Sequence, residues 1–233
     1  MAVSAHSFRF IGRGLYTIPE AHRLTGIPTA SIRRWTSGYR YRYKGTLVHA
    51  GPVIGVELAG EYGAPAIDFA DLAEVLFLQR FLTLGVSWKT IRIAVDRVRE
   101  IVGMAHPFSH KRFTTDGKSI LAEVAREEQD HILLNLITDQ IEFEELIAKH
   151  FVAEIDFGGG DTPKRWYPLG KNRRVVVDPN RFFGAPYAER SPTAALWASF
   201  SAEQSFELVA DMYDVAIEAV IDAVEYEASR ETA

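Results

Sequence analysis

Thr17-Ile-Pro-Glu-Ala-His-Arg-Leu-Thr-Gly-Ile-Pro-Thr-Ala-Ser-Ile-Arg-Arg-Trp35, followed after three residues by Tyr39-Arg-Tyr-Arg-Tyr-Lys44, is the stretch that decides the fold. Thr17 and Glu20 have the spacing of a capping box, and Pro19 falls in the first turn, where a missing N–H costs nothing. Ala21 and Leu24 then share one face of a short helix. Gly26 ends it, with Ile27 in the turn. A second helix, from about Pro28 to Thr36, is expected to bury Ile32 and Trp35 and to expose Thr29, Ser31, Arg33 and Arg34. Two short helices joined by a glycine turn, with arginines and hydroxyls outward, suggest a helix-turn-helix. An ordinary helical hairpin with solvated arginines has the same pattern, and the local charge favours the first reading.

That charge is uneven. The 233-residue chain has a formal net charge of −5. Residues 1–50 carry eight Lys/Arg (Arg9, Arg13, Arg23, Arg33, Arg34, Arg40, Arg42, Lys44) against one acid, Glu20, and so stand at +7. The remainder stands at −12. A basic head on an acidic body suggests that a polyanion binds at one end only. Tyr39 to Lys44 alternates aromatic and basic residues. On a strand this puts Tyr39, Tyr41 and Tyr43 on one face and Arg40, Arg42 and Lys44 on the other. The tyrosines are expected to pack on the helices while the cations face a nucleic-acid backbone, as in a wing. An edge strand protected by charge is the alternative.

Further along, Asp68 is expected to cap a helix with Asp71 at its N3 position and an apolar stripe of Phe69, Leu72, Leu76 and Leu82. After a break at Gly85-Val86-Ser87, Trp88, Ile91, Val95, Val98 and Val102 repeat at helical spacing. Lys89, Arg92, Arg97 and Arg99 lie on the other face, solvated or extending a phosphate contact. Phe113 to Val124 reads as a hairpin turning at Asp116-Gly117. Ile132 to Phe151 reads as mixed strand and helix, helical near 142–150. Phe157 to Asp161 reads as a glycine-rich linker tip that lacks the residues of a Walker-type phosphate loop. Arg165–Leu169 and Arg174–Val177 have strand character, with turns at Asp178-Pro179 and Gly184-Ala185-Pro186. Helices are expected from Ser191-Pro192, after the cap Ser205, and over Ile217 to Val224, making a second helix-turn-helix-like unit. From Ser199 onward nine acids face a single Arg230. That surface would repel phosphate and suits oligomerisation or protein binding.

The fold class expected is mainly α with small β elements (α+β). The division expected is an arm at 1–14, a DNA-binding domain at 15–104, a mixed connecting region at 105–170 and a C-terminal domain at 171–233. The chain has no cysteine, which rules out disulfides and thiolate metal sites. No signal-like leader and no run of ~18 apolar residues is visible, so a cytoplasmic protein is expected. His106 and His110 flank Pro107, which argues against a helical metal pair. No nucleophile–base or paired-carboxylate arrangement stands out, so no enzyme, metal or cofactor is expected.

Leu15 to Trp35, with Gly26-Ile27 and Ile32-Arg33-Arg34-Trp35, resembles the head of MerR-type winged helix-turn-helix regulators. Asp68 to Ile101, with the Leu-Gly-Val-Ser break at Leu84–Ser87, resembles their following helices. Val176 to Glu225 is similar to a small antitoxin domain long catalogued as of unknown function, with its order Asp-Pro, Phe-Gly-Ala-Pro, Pro-Thr and two helices. Together they resemble a VapB-type antitoxin. The resemblance implies a repressor that binds operator DNA to control its own operon and neutralises a PIN-like ribonuclease toxin by direct contact, and a homodimer is expected from the general use of symmetric half-sites. Arg33 and its exposed neighbours Thr29, Ser31 and Arg34 would read DNA, and Arg42 and Lys44 would serve the wing. His22 departs from the pattern, because such motifs place a small residue four before the turn glycine. A stand-alone MerR-like regulator with an effector pocket lined by Trp166, Tyr167 and Trp197 is the alternative. A scaffold that never touches nucleic acid is a third reading.

Overall fold

The computed structural model describes residues 12–55, 65–103, 106, 108–109, 113–138, 154–160 and 162–231. They are mainly helical, with short antiparallel ladders. The chain divides into two compact units, one of Tyr16–His150 with Phe157–Pro163, the other of Met1–Leu15, Phe151–Asp156 and Lys164–Ala233. The arm up to residue 11, His110 and the helix expected at 142–150 lie outside the described residues.

In the first unit, β1 (Tyr16–Thr17) pairs antiparallel with β4 (Ala66–Ile67). Helix α1 (Ile18–Thr25) begins with the expected capping box: Glu20 N donates to Thr17 Oγ1 at 3.3 Å and Thr17 N to Glu20 Oε2 at 2.7 Å. It ends at Gly26, whose φ of 73° is left-handed. Helix α2 (Thr29–Ser37) follows, then the hairpin of β2 (Tyr39–Tyr43) and β3 (Thr46–Ala50).

The long helices α3 (Phe69–Thr83) and α4 (Trp88–Val102) come next. Asp68 and Asp71 form a reciprocal cap at 2.9 and 3.0 Å. Helix α3 is apolar nearly all round. Leu72, Val75, Phe77, Leu78 and Phe81 are buried, whereas the expected stripe residues Leu76 and Leu82 are half-buried. Helix α4 buries Ile91, Val95 and Val98 on one stripe, as its spacing requires.

Phe113 to Val124 is not a hairpin. It belongs to helix α5 (Phe113–Glu127), which packs between α4 and α6 (His131–Thr138). Ile120, Leu121, Val124 and Ala125 are all buried, a helical repeat that outweighs the Asp116-Gly117 turn signal. Around α6, Ile132 is exposed and Leu133 is buried. The glycines at 158–160 are a hairpin loop between β5 (Ile155–Phe157) and β6 (Pro163–Trp166).

The second unit has a three-stranded sheet in the order β7-β8-β9 (Val175–Val176, Tyr187–Ala188, Ser191–Pro192). Ser191-Pro192 is thus a short strand, and helix α7 (Thr193–Glu203) starts one residue later. Helices α8 (Phe206–Tyr213) and α9 (Ile217–Glu231) complete the unit. Their shared core is Ala188, Leu196, Val209, Ala210, Ala219, Val220 and Ala223. Asp214, with φ of 51°, makes the turn between α8 and α9.

Candidate nucleic-acid interface

The turn between α1 and α2 is held by local bonds. Gly26 N donates to His22 O at 2.7 Å, and Thr25 Oγ1 accepts from Ile27 N at 3.2 Å. The His22 imidazole is not wedged between the helices. Its Nδ1 lies 2.9 Å from Ile27 O, which makes Nδ1 the protonated nitrogen and ties the ring across the turn. Ala21, fully buried, is the small residue of α1 in the core. The departure from the family pattern at position 22 therefore leaves the helical hairpin intact.

Helix α2 buries Ile32, Trp35 and Thr36. With 3.6 residues per turn, the face opposite them is centred on Ala30 and Arg34, with Ser37 beside them and Arg33 toward its edge. All four are exposed. Thr29 and Ser31 sit at the two edges of this face and are half-buried, not fully exposed as their polarity suggests. Sequence reasoning missed Ala30 and Ser37. A small residue at the centre of the outward face leaves room for the helix to approach another surface closely, and the helical wheel alone could have placed it.

The hairpin keeps its two-faced pattern. Tyr39, Tyr41 and Tyr43 pair with Ala50, Val48 and Thr46, while Arg40 and Arg42 pair with His49 and Leu47 on the other face. Tyr39 is half-buried against Arg34 of α2, whereas Tyr41 and Tyr43 are exposed and do not pack on the helices as expected. Tyr41 is 43% exposed, Tyr43 60% and Leu47 61%, and among the described residues the hairpin is a sheet of two strands alone. Instead the rings stack with cations and with each other. The Arg34 guanidinium lies 4.5 Å from the Tyr39 ring, and the Tyr39 and Tyr41 rings are 5.7 Å apart. Arg34 is thereby held in place at the junction of α2 and the hairpin.

Lys44 is not on a strand face. It forms the tip with Gly45, and both have positive φ, 49° and 84°. A two-residue loop with φ positive at both positions is the geometry whose twist matches a hairpin. Gly38 joins α2 to β2 with φ of 73° and ψ of −174°, a region essentially reserved for glycine. A Cβ there would stand 2.3 Å from Ala50 O.

The root of the hairpin is clamped. Trp35 O accepts from Val53 N and Ile54 N at 2.7 and 2.9 Å. Arg92 Nη2 donates to Gly51 O and Arg99 Nη2 to Val53 O, each at 2.8 Å. The rings of Trp35 and Trp88 stack at 6.0 Å. Arg97 pairs with Glu123 and Glu127, and Lys89 with Glu128. Arg92 and Arg99 are therefore not part of a solvated face, whereas Lys89, its side chain 77% exposed, and Arg97 remain at the surface. Two of them fix where the hairpin leaves the body, and the other two tie α4 to α5 and the turn after it.

Arg40, Arg42, Lys44, Arg33 and Arg34 are all exposed on α2 and the adjoining hairpin. In this region acids are scarce, since Glu20 is the single carboxylate before residue 50. Such a surface offers guanidinium forks to base edges or phosphates and an ammonium to phosphate.

A second cluster lies under α3. Glu74, fully buried, has its carboxyl pushed up to about 8 by desolvation, against the lowering effects of the Phe108 N–H and the Arg99 charge. Its Oε1 accepts from Phe108 N at 3.0 Å. His106 Nδ1 lies 3.4 Å from Asp71 Oδ1 and 4.0 Å from Glu74 Oε2. Asp68, Asp71 and His106 bring their ligand atoms within 4.8 Å of one another, a grouping that the spacing of the histidines did not reveal. Asp68 and Asp71 spend an oxygen each on the helix cap.

In the second unit, α8 presents Leu208 and Met212 outward one turn apart, and α9 presents Ile217 and Ile221 in the same way. Exposed Glu207, Asp211, Glu218 and Glu225 accompany them. The outward positions of this helix pair thus carry aliphatic and carboxylate groups where α2 carries arginine. The aromatics suggested for an effector pocket are used in packing: Trp166 is buried, Trp197 stacks on Phe200 at 6.5 Å, and Tyr167 Oη donates to Asp156 at 2.7 Å. No helix among the described residues is long and apolar enough to cross a membrane.

Comparison with known proteins agrees with this geometry. The chain is similar to a protein of Mycobacterium tuberculosis named "Putative antitoxin VapB45", 28% identical over 223 residues, which covers 91% of this chain and 92% of that one. The crystal structure of Rv2018 from Mycobacterium tuberculosis shares the fold, with a TM-score of 0.69 over 90% of this chain and 96% of that chain at 24% sequence identity. Residues 14–95, which take in α1, α2, the hairpin, α3 and half of α4, match the family described as "Putative DNA-binding HTH domain".

Proposed function

We propose that the chain is the antitoxin of a type II toxin–antitoxin system. In this reading a homodimer binds operator DNA through its MerR-like winged head and represses its own operon, while the second unit binds and neutralises a PIN-like ribonuclease toxin. The observation that carries it is the exposed face of α2 with Arg33 and Arg34, joined to a clamped hairpin bearing Arg40, Arg42 and Lys44. Each protomer sets α2 in one major groove. Arg33 reads base edges, Thr29 and Ser31 contact the groove margins, and the hairpin cations fix register on phosphate. The likeness to a VapB antitoxin supports a toxin partner. The outward stripes of α8 and α9 fit that partner, because Glu207 and Asp211 repel a polyanion and complement a basic protein, while Glu218 and Glu225 pair with Arg174 and Arg173.

The test is co-expression of the full chain with the product of the adjacent reading frame, followed by co-purification and a duplex-binding assay on the upstream DNA. Met212→Lys with Ile221→Lys, both at exposed positions, is expected to weaken toxin binding at least tenfold and to leave operator affinity unchanged. A folded variant that loses both activities together contradicts this division of labour.

A further inference from the structure

Leu47 stands on the cationic face of the hairpin, open to solvent. It pairs across the ribbon with Arg42, and the next pair on that face is Arg40 with His49. Among the described residues of the first unit, no other large apolar side chain is more exposed. The opposite face is different, because its rings have cations to rest on. The Arg34 guanidinium lies over Tyr39, and the Lys44 ammonium is 5.6 Å from the centre of the Tyr43 ring.

A scattered exposed leucine needs no explanation. Leu47 differs in its setting. From Tyr39 to Ala50 the hairpin carries Arg40, Arg42, Lys44 and His49 and no carboxylate. No carboxylate of the described residues pairs with Arg40, Arg42 or Lys44. These cations are left for a polyanion, and an apolar group fixed among them meets what lies between two rows of phosphate. In a duplex that is the floor of a groove, formed by the edges of stacked bases. The hairpin also has the reach. Strands of five residues span roughly 17 Å at 3.4 Å per residue. The ribbon leaves α2 at Gly38, so with α2 in the major groove its tip extends over the phosphate ridge toward the adjoining minor groove. That tip is unobstructed, since a Cβ on Gly45 would meet nothing within 4 Å.

We infer that Leu47 is a wedge that enters the minor groove beside the α2 site and unstacks one base step, so that the chain selects duplexes with a deformable pyrimidine–purine step there. The inference rests on the DNA-binding reading of the first unit. Leucine is among the side chains that open base steps from the minor groove, and TA and CA steps yield most easily. Arg42 and Arg40, on the same face as the wedge, hold the phosphates beside the opened step.

The experiment uses the full-length chain and the duplex upstream of its reading frame. The adenine of each TA and CA step is replaced in turn by 2-aminopurine, whose fluorescence rises when it is unstacked. The wild type is expected to brighten one such step. Leu47→Ala and Leu47→Thr are expected to remove that signal and to bind the duplex about tenfold more weakly, with the wild-type salt slope and melting temperature. A wild-type complex in which no step brightens, or a signal that survives in both variants, overturns this inference alone. So does a marked fall in melting temperature, which would mean that the leucine packs within the fold. A changed oligomeric state in the variants would place it in a subunit contact, and a lower salt slope would mean that the substitution displaces the cations; either result overturns the wedge. Failure of the wild type to bind the duplex in a salt-dependent way overturns the DNA-binding reading, and this inference with it.

Discussion

Arg33 and Glu74 show how differently two charged residues of one unit are placed. Arg33 is exposed on the outward face of α2 and is free to fork onto a base edge. Arg33→Ala is expected to cost about 1–3 kcal/mol of specific operator binding, the range for one good base contact. Equal affinities for wild type and variant at matched salt would remove Arg33 from the reading face. Glu74 is buried against Asp71, Arg99 and His106 and holds its proton up to a pH of about 8 instead of the usual 4.5. Between those values the folded chain binds a proton that the unfolded chain has released. Stability therefore falls as pH rises from 4.5 through 8. Glu74→Gln keeps an acceptor for the Phe108 N–H and carries no charge. Melting curves across that range should be flatter for the variant, with the larger gain at the alkaline end. An unchanged pH profile would show that Glu74 does not titrate there.

At the scale of elements, the hairpin turn separates structure from charge. Lys44 occupies a positive-φ position where asparagine is favoured in two-residue loops. Lys44→Asn should hold or improve the hairpin while removing a cation. If Lys44 touches phosphate, the variant binds DNA more weakly yet melts no lower. Equal or tighter binding would assign the lysine to the turn alone. Elements whose information is local were legible in the sequence: the caps at Thr17 and Asp68, the stop at Gly26, the stripe of α4 and the alternation of β2. What misled was information held elsewhere in the chain. Asp116-Gly117 is a turn signal by itself, but the buried repeat from Ile120 to Ala125 makes it part of a helix. The β2 tyrosines read as packed because aromatics seek burial, yet they rest on arginine and on each other. Arg92 and Arg99 read as surface charge because nothing local says that Gly51 O and Val53 O come within 2.8 Å of them.

For the whole molecule, charge is segregated along the chain, +7 over the first 50 residues and −12 over the rest. The candidate reading face was legible in outline because cation spacing on a short helix and a strand is a local pattern. The clamp that aims the hairpin needed the packing of α2 and α4. The second unit carries aliphatic and acidic groups outward on its last two helices. The central claim is that the first unit grips a duplex through exposed cations. It is tested most directly by the salt dependence of operator binding for the wild-type chain and for Arg40→Ala with Arg42→Ala. The account predicts that log K falls linearly with log salt for the wild type, and that the double variant lowers the slope by about two, roughly one for each lost phosphate contact. Binding without salt dependence, or an unchanged slope in the variant, would contradict it.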